Sequence, residues 1–196
     1  MNPDVLTPST RKLSHNQELL LFSAIRTLVH SAMRMVYPFL AVFGRGLGVS
    51  LTTISLAVTI RNFTGFIVPF ITSAFDRYGR RRGMMTGMGL FILGSGLVTI
   101  WPYFPVFVAA LSLTFIGMHV FQASMLSYQA DTIPYQIRGR AMVITGTGWA
   151  LSFVIAVPLL GLLIGRYGWL APFPVLAGLG ILLVLVLYLV IPPDII

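Results

Sequence analysis

Residues 68–79 read VPFITSAFDRYG, and residues 157–168 read VPLLGLLIGRYG. The two stretches lie 89 residues apart and share the Val-Pro pair at their start and the Arg-Tyr-Gly triplet at their end. Each stretch lies at the end of a long apolar segment. Five identities at matched spacing indicate an internal repeat of nearly half the chain. A chance match in a chain rich in glycine and arginine is the alternative.

The composition predicts that most of the protein surface faces lipid. The 196 residues are 57% hydrophobic and 9% charged, whereas a soluble domain carries roughly 25% charged residues. The absence of cysteine excludes a disulfide framework and a cysteine metal site. The 13 basic residues outnumber the 5 acidic ones, but they fall between apolar blocks, which favours membrane topology over nucleic-acid binding.

Six segments are apolar enough to cross a bilayer, for which about 20 residues are needed. Short connections that contain glycine, proline and charged residues separate them, so neighbouring segments should run antiparallel. The segments are residues 19–43, 51–75, 84–101, 105–130, 141–165 and 170–192. We therefore predict an all-α polytopic membrane protein of six transmembrane helices. Residues 1–18 would precede the first helix, and residues 193–196 would form a short tail.

The repeat divides the six helices into two triplets, residues 19–101 and residues 102–192. Because three is odd, the second triplet should enter the membrane upside down, as in the inverted repeats of transporters. Cytoplasmic loops carry an excess of basic residues, and only Arg45 and Arg166 lie on the sparsely charged side. This predicts a plasma (inner) membrane protein with residues 1–18 in the cytoplasm. The basic residues on the cytoplasmic side are Arg11, Lys12, Arg77, Arg80, Arg81, Arg82, Arg138 and Arg140.

The end of the first repeat stretch resembles a loop motif of the major facilitator superfamily, Gly-x-x-x-Asp-Arg-x-Gly-Arg-Arg/Lys. Thr72 stands where the family has the leading glycine. A second likeness begins at Asp131, where Asp-x-x-Pro is followed by Arg-Gly-Arg-Ala at residues 138–141. The chain therefore resembles the amino-terminal six-helix half of a family that normally has twelve helices. The loop positions that match are Asp76, Arg77, Gly79, Arg80 and Arg81.

The resemblance implies secondary transport of a small solute by alternating access, with a second six-helix half from the same or a different chain. It also implies that the loop motif forms a charge network that closes the cytoplasmic side. Asp131, at the end of the fourth predicted helix, is the expected partner of Arg80. The alternative is that these charges set topology and form surface ion pairs, which contribute little to stability.

A polar stripe on the first predicted helix indicates where the solute would bind. Arg26, His30 and Arg34 are spaced by four residues, so they share one helix face over about 12 Å. Ionisable groups inside a span usually face the bundle interior or an aqueous cavity. The 89-residue shift aligns His30 with His119, and helices one and four line the central cavity in the family.

We therefore predict a basic, hydrogen-bonding cavity for a polar or anionic solute, formed by Arg26, His30, Arg34, His119 and Gln122. The alternative is that the histidines bond backbone carbonyls and the arginines pair with acids elsewhere. Arg61 could join the cavity or pair with a neighbouring helix. Trp149 could contact the solute or serve in packing, and packing is favoured. A glycine series in the third predicted helix indicates close helix approach: Gly87, Gly89, Gly94 and Gly96.

Two other functions compete with transport. One is a non-transporting membrane receptor or assembly subunit. The other is a membrane-embedded enzyme, which would need paired acids, a metal motif or a serine–histidine pair at matched depth. No carboxylate lies in the middle of a predicted span. We therefore expect no catalytic residues, no metal, no cofactor and no nucleic-acid partner; the expected partners are the bilayer, a solute and a second half.

Overall fold

The structure is a computed structural model that describes residues 15–192, with the backbone alone at residues 15 and 74–78. This part of the chain is 88% helical and contains no strand, which confirms the all-α prediction. A 3-10 turn (Thr64–Phe66) separates α3 from α4, and a π-helical turn (Ser152–Ala156) separates α7 from α8. The α-helices are α1 (His15–Met35), α2 (Leu40–Gly46), α3 (Leu51–Phe63), α4 (Val68–Tyr78), α5 (Arg80–Ile100), α6 (Phe104–Thr132), α7 (Tyr135–Leu151), α8 (Val157–Tyr167) and α9 (Pro172–Val190).

Length and apolarity support four membrane spans among the described residues, or five if a bent pair is counted as one. The four are α5, α6, the continuous helix formed by α7 and α8, and α9. The fifth consists of α1 and α2, whose axes meet at 69°. The predicted span at residues 51–75 is divided into α3 and α4, of 13 and 11 residues. The sixth span therefore stays a prediction.

The bend between α1 and α2 lies at Tyr37-Pro38-Phe39. Proline has no backbone N–H, and its ring collides with the carbonyl four residues earlier, so a helix breaks or kinks there. The carbonyl of Arg34 instead accepts a hydrogen bond from the backbone N–H of Tyr37, at 3.3 Å. The apolar run from residue 19 to residue 43 thus folds as two helices.

The helix bounds repeat with the 89-residue offset seen in the sequence. Helices α4 and α8 each begin one residue before a proline and end at an Arg-Tyr pair. Each is followed by a glycine with positive φ, 107° at Gly79 and 87° at Gly168, a conformation that side chains other than glycine rarely adopt.

The helices of the two predicted triplets form one bundle. Helix α5 packs along α6, α1 packs along α7, and α9 contacts both α1 and α5. Helix α3 contacts α6. Under the 89-residue repeat, α1 corresponds to α6, α7 to α3, and α9 to α5. The contact of α1 with α7 therefore corresponds to that of α6 with α3, and the contact of α1 with α9 corresponds to that of α6 with α5. The contacts therefore follow the repeat, and the opposite insertion of the second triplet stays a prediction.

Glycines bring α5 and α6 into close contact. A Cβ added to Gly87 would lie 2.5 Å from the backbone nitrogen of Phe121 and 2.7 Å from the carbonyl oxygen of Gly117. A Cβ on Gly94 would lie 2.7 Å from another α6 carbonyl oxygen. Two positions of the predicted glycine series therefore lie at this interface. Gly89 and Gly96 have no neighbour within 4 Å.

Large apolar side chains are exposed along the outer faces of α8 and α9. Examples are Leu162, Leu182 and Leu189. Soluble monomers rarely expose contiguous apolar surfaces of this extent, because such surfaces favour association. The exposed faces therefore support the prediction that the bundle is surrounded by lipid.

Candidate functional site

The predicted cavity residues of α1 and α6 come together around His30. His30 on α1 lies close to Arg26, Arg34, His119 and Gln122. Arg26, His30 and Arg34 follow one another at single helical turns along α1, and the proximity of His119 and Gln122 shows that this face is turned toward α6. The five residues form one group, which we call the α1–α6 cluster.

Two polar atoms of the α1–α6 cluster are buried without a partner. His30 is 7% exposed, and its Nε2 has no hydrogen-bond partner. The Nε of Arg26 is also buried and has no hydrogen-bond partner. A buried polar atom left unsatisfied costs about 1–3 kcal/mol. The Nε–H of Arg26 suits an acceptor of a ligand, and Nε2 of His30 does so when it carries the ring proton.

His119 is held by its own helix. Its Nδ1 lies 2.8 Å from the carbonyl oxygen of Phe115, and the Phe115 and His119 rings are tilted by 47° with centroids 4.3 Å apart. With Nδ1 protonated, this nitrogen donates to the carbonyl and Nε2 is left as an acceptor. At Nδ1, His119 therefore has the backbone contact that the alternative interpretation expected.

Helix α7 approaches α1 closely beside the cluster. A Cβ on Gly148 would overlap the carbonyl oxygen of Ser23 and would lie 2.9 Å from the Cβ of Arg26. The hydroxyls of Ser23 and Thr147 share a hydrogen bond of 3.1 Å. This contact fixes the position of the side chains that follow Gly148 on α7.

Trp149 of α7 lies against Arg34 of the α1–α6 cluster. Its side chain is 53% exposed, and the guanidinium carbon of Arg34 lies 3.9 Å from its ring centroid. Phe153 lies on the same face, 5.7 Å from that carbon. The close approach of α7 to α1 brings the indole against the cluster, and neither residue spacing nor hydropathy indicates this approach.

Arg61 is buried between α1 and α6, with 1% of its surface exposed. Its Nη2 donates to the hydroxyl of Tyr37 at 2.8 Å and to Oδ1 of Asn62 at 3.0 Å. Its Nη1 lies 3.5 Å from the carbonyl oxygen of Met33. Of the two alternatives left open by the sequence, the structure shows the contact with a neighbouring helix. The guanidinium carbon also lies 5.6 Å from the Phe115 ring, which links Arg61 to His119.

The positive charges of this region are not neutralised within the described part of the chain. Arg26, Arg34 and Arg61 make no ion pair with any side chain that the structure describes. Charged groups inside a membrane usually pair with one another or with a ligand. The region is therefore suited to a negatively charged solute or to an acid from another six-helix unit.

The predicted gating motif is partly described. The Nε of Arg80 lies 3.2 Å from Oδ2 of Asp131, which is the pairing expected from the sequence. Arg81 donates to the carbonyl oxygen of Tyr188 at 2.7 Å and lies over its ring, so the start of α5 is tied to the end of α9. The side chains of Asp76 and Arg77 lie outside the described residues. The gating role of the motif stays a prediction.

Metal ligands are not grouped in the part of the chain that the structure describes. No three histidine, aspartate or glutamate side chains lie close enough together there to hold an ion. Glu18 and Asp131 are the carboxylates whose side chains are described, and both belong to helix ends. The α1–α6 cluster consists of two arginines, two histidines and one glutamine.

Comparison with known proteins identifies the family of the chain. Residues 22–195 match the family profile of the Major Facilitator Superfamily. The chain is 24% identical over 92% of its length to the uncharacterized MFS-type transporter YbcL of Bacillus subtilis (strain 168), and the match covers 46% of that protein. It is 25% identical over 81% of its length to the uncharacterized MFS-type transporter YwfA of the same organism, covering 39% of it. The chain thus spans less than half the length of these relatives, and it belongs to the Major Facilitator Superfamily.

Proposed function

We propose that this chain is the amino-terminal six-helix half of a transporter that moves a small polar or anionic solute across the inner membrane by alternating access. The relatives are named as transporters and extend well beyond the matched region, which supports a second half in the working protein. Their names also favour transport over the receptor and assembly-subunit alternative. In this proposal the two triplets are inverted, and residues 1–18 lie in the cytoplasm.

The observation that carries the proposal is the α1–α6 cluster. It groups two arginines, two histidines and an amide on facing helices, with unpartnered nitrogens on Arg26 and His30. In this proposal helices α1 and α6 are the equivalent members of the two triplets, so the cluster would lie at the interface between the repeats. Transporter sites lie near the midplane, at the interface of such repeats.

The ion pair between Arg80 and Asp131 serves as a latch in this proposal. Its side chains are 30% and 60% exposed, so the pair can break without burying an isolated charge. An exposed pair contributes only about 0–1 kcal/mol. That energy is small enough for the pair to open and close in each transport cycle.

Uptake into cells or vesicles tests the site. A panel of labelled inorganic and organic anions identifies a transported solute, and the variants Arg34→Ala and His30→Ala are then compared at equal membrane abundance. Loss of a charge-assisted hydrogen bond of roughly 1.5–3 kcal/mol predicts at least about a tenfold fall in apparent affinity.

Arg166→Ala is the matched control, because this arginine is exposed at the end of α8 and far along the chain from the cluster. Its uptake should equal that of the unchanged protein. Unchanged uptake in the Arg34→Ala and His30→Ala variants would sink the assignment of the α1–α6 cluster as the solute site.

A further inference from the structure

We propose that the solute is an organic anion with a flat aromatic ring, and that Trp149 and Phe153 select the ring. This inference rests on the proposed function, because the α1–α6 cluster supplies the charge that holds the anionic group. It adds a substrate class and two specificity residues, neither of which follows from the repeat or from the loop motif.

The first observation is the stacking of Arg34 on Trp149, with the guanidinium carbon 3.9 Å from the ring centroid. This contact holds the guanidinium over the indole, and the side chain of Arg34 makes no hydrogen bond or ion pair among the described residues, so its N–H groups are open to a ligand. An arginine held in this way can accept a carboxylate along its edge. The indole therefore orients the group that would bind the anion.

The second observation is the exposure of both rings. Trp149 is 53% exposed and Phe153 is 62% exposed, although both adjoin Arg34. Arg34 covers one face of the indole, so a substantial part of the ring surface is left uncovered. Phe153 belongs to the π-helical turn Ser152–Ala156, and such turns occur often at functional sites. The two rings offer an apolar, flat surface directly beside the positive charge.

The third observation is the buried, unpartnered Nε2 of His30. It lies one helical turn from Arg34, a rise of about 6 Å, which is similar to the width of a single aromatic ring. An anionic group bound at His30 or Arg34 would place an attached ring against Trp149 or Phe153. A strongly hydrated inorganic anion would leave these ring surfaces unused.

Binding of three probes to the purified full chain tests the inference: benzoate, cyclohexanecarboxylate and benzamide. Cyclohexanecarboxylate has the charge without the aromatic ring, and benzamide has the ring without the charge. Aromatic pairing predicts that benzoate binds about three- to tenfold more tightly than cyclohexanecarboxylate, and benzamide should bind more weakly than both.

Three variants test whether Trp149 causes the preference for benzoate over cyclohexanecarboxylate. Trp149→Leu should abolish the advantage of benzoate over cyclohexanecarboxylate, while Trp149→Phe should retain most of it. Trp101→Leu is the matched control, because Trp101 is 52% exposed but lies at the end of a different helix. In this variant the ratio of benzoate affinity to cyclohexanecarboxylate affinity should be unchanged.

Each other outcome has a defined meaning. Equal affinity for the two carboxylates in the unchanged protein overturns the aromatic preference and leaves anion transport standing. A preference that survives in Trp149→Leu overturns the role of Trp149. Absence of binding by both carboxylates contradicts the inference, and if His30→Ala also leaves uptake unchanged, the proposed function fails with it.

Discussion

The contact between α5 and α6 gives a sharp prediction for Gly87→Ala. The added methyl would lie 2.5 Å and 2.7 Å from backbone atoms of Phe121 and Gly117, and backbone atoms in a helix cannot move aside as a side chain can. Overpacking of this kind costs about 1–3 kcal/mol. The two helices would have to separate, and α6 would shift His119, two residues after Gly117, relative to α1. We expect a lower free energy of unfolding and weaker solute binding.

Gly89→Ala is the control for this prediction, because it lies on the same helix and has no neighbour within 4 Å. Alanine favours the helix over glycine by up to about 1 kcal/mol, so this variant should be neutral or slightly stabilised. Denaturant titration and thermal unfolding of the two purified variants measure the difference. Equal stability of Gly87→Ala and Gly89→Ala would refute the argument that backbone contact at Gly87 holds α5 against α6.

Two further predictions concern the arginine contacts. Asn62→Ala removes the oxygen that accepts hydrogen bonds from Nε and Nη2 of buried Arg61, so the free energy of unfolding should fall by about 1–3 kcal/mol; an unchanged denaturation midpoint would show that the bond is dispensable. Asp131→Asn and Arg80→Gln each break an exposed ion pair, so the free energy of unfolding should change by less than about 1 kcal/mol. Both variants should nevertheless alter the rate of solute uptake. Uptake at the normal rate in both would contradict the latch.

Much of the helical framework follows from residue patterns. The Arg-Tyr-Gly matches lie at the ends of α4 and α8, because glycine permits the positive φ that follows the last turn. The Val-Pro pairs, at which both helices begin, lie inside the spans predicted at residues 51–75 and 141–165. The spacing of Arg26, His30 and Arg34 correctly places them on one face of α1. The pairing of Arg80 with Asp131 was expected from the resemblance to the family's loop motif, and the structure contains it.

Other features depend on how helices meet, which one sequence does not reveal. The hydropathy pattern predicts one continuous helix at residues 19–43 and another at residues 51–75. In the structure the first helix is interrupted at Pro38 and the second at the 3-10 turn. The position of Trp149 beside Arg34 depends on the approach of α7 at Gly148. The contact of Arg61 with Tyr37 joins residues 24 positions apart. Such contacts come from helix crossings, and residue periodicity describes only one helix at a time.

The central claim is that α1 and α6 are equivalent helices of two triplets inserted in opposite directions. Tyr78 and Tyr167 are equivalent positions in the repeat, so the claim places them on opposite sides of the membrane. The chain contains no cysteine, which makes an introduced cysteine unique within it. In intact cells a membrane-impermeant thiol reagent should label Tyr167→Cys directly and label Tyr78→Cys only after permeabilisation. Labelling of both positions from the same side would contradict the inverted repeat and the cavity built on it.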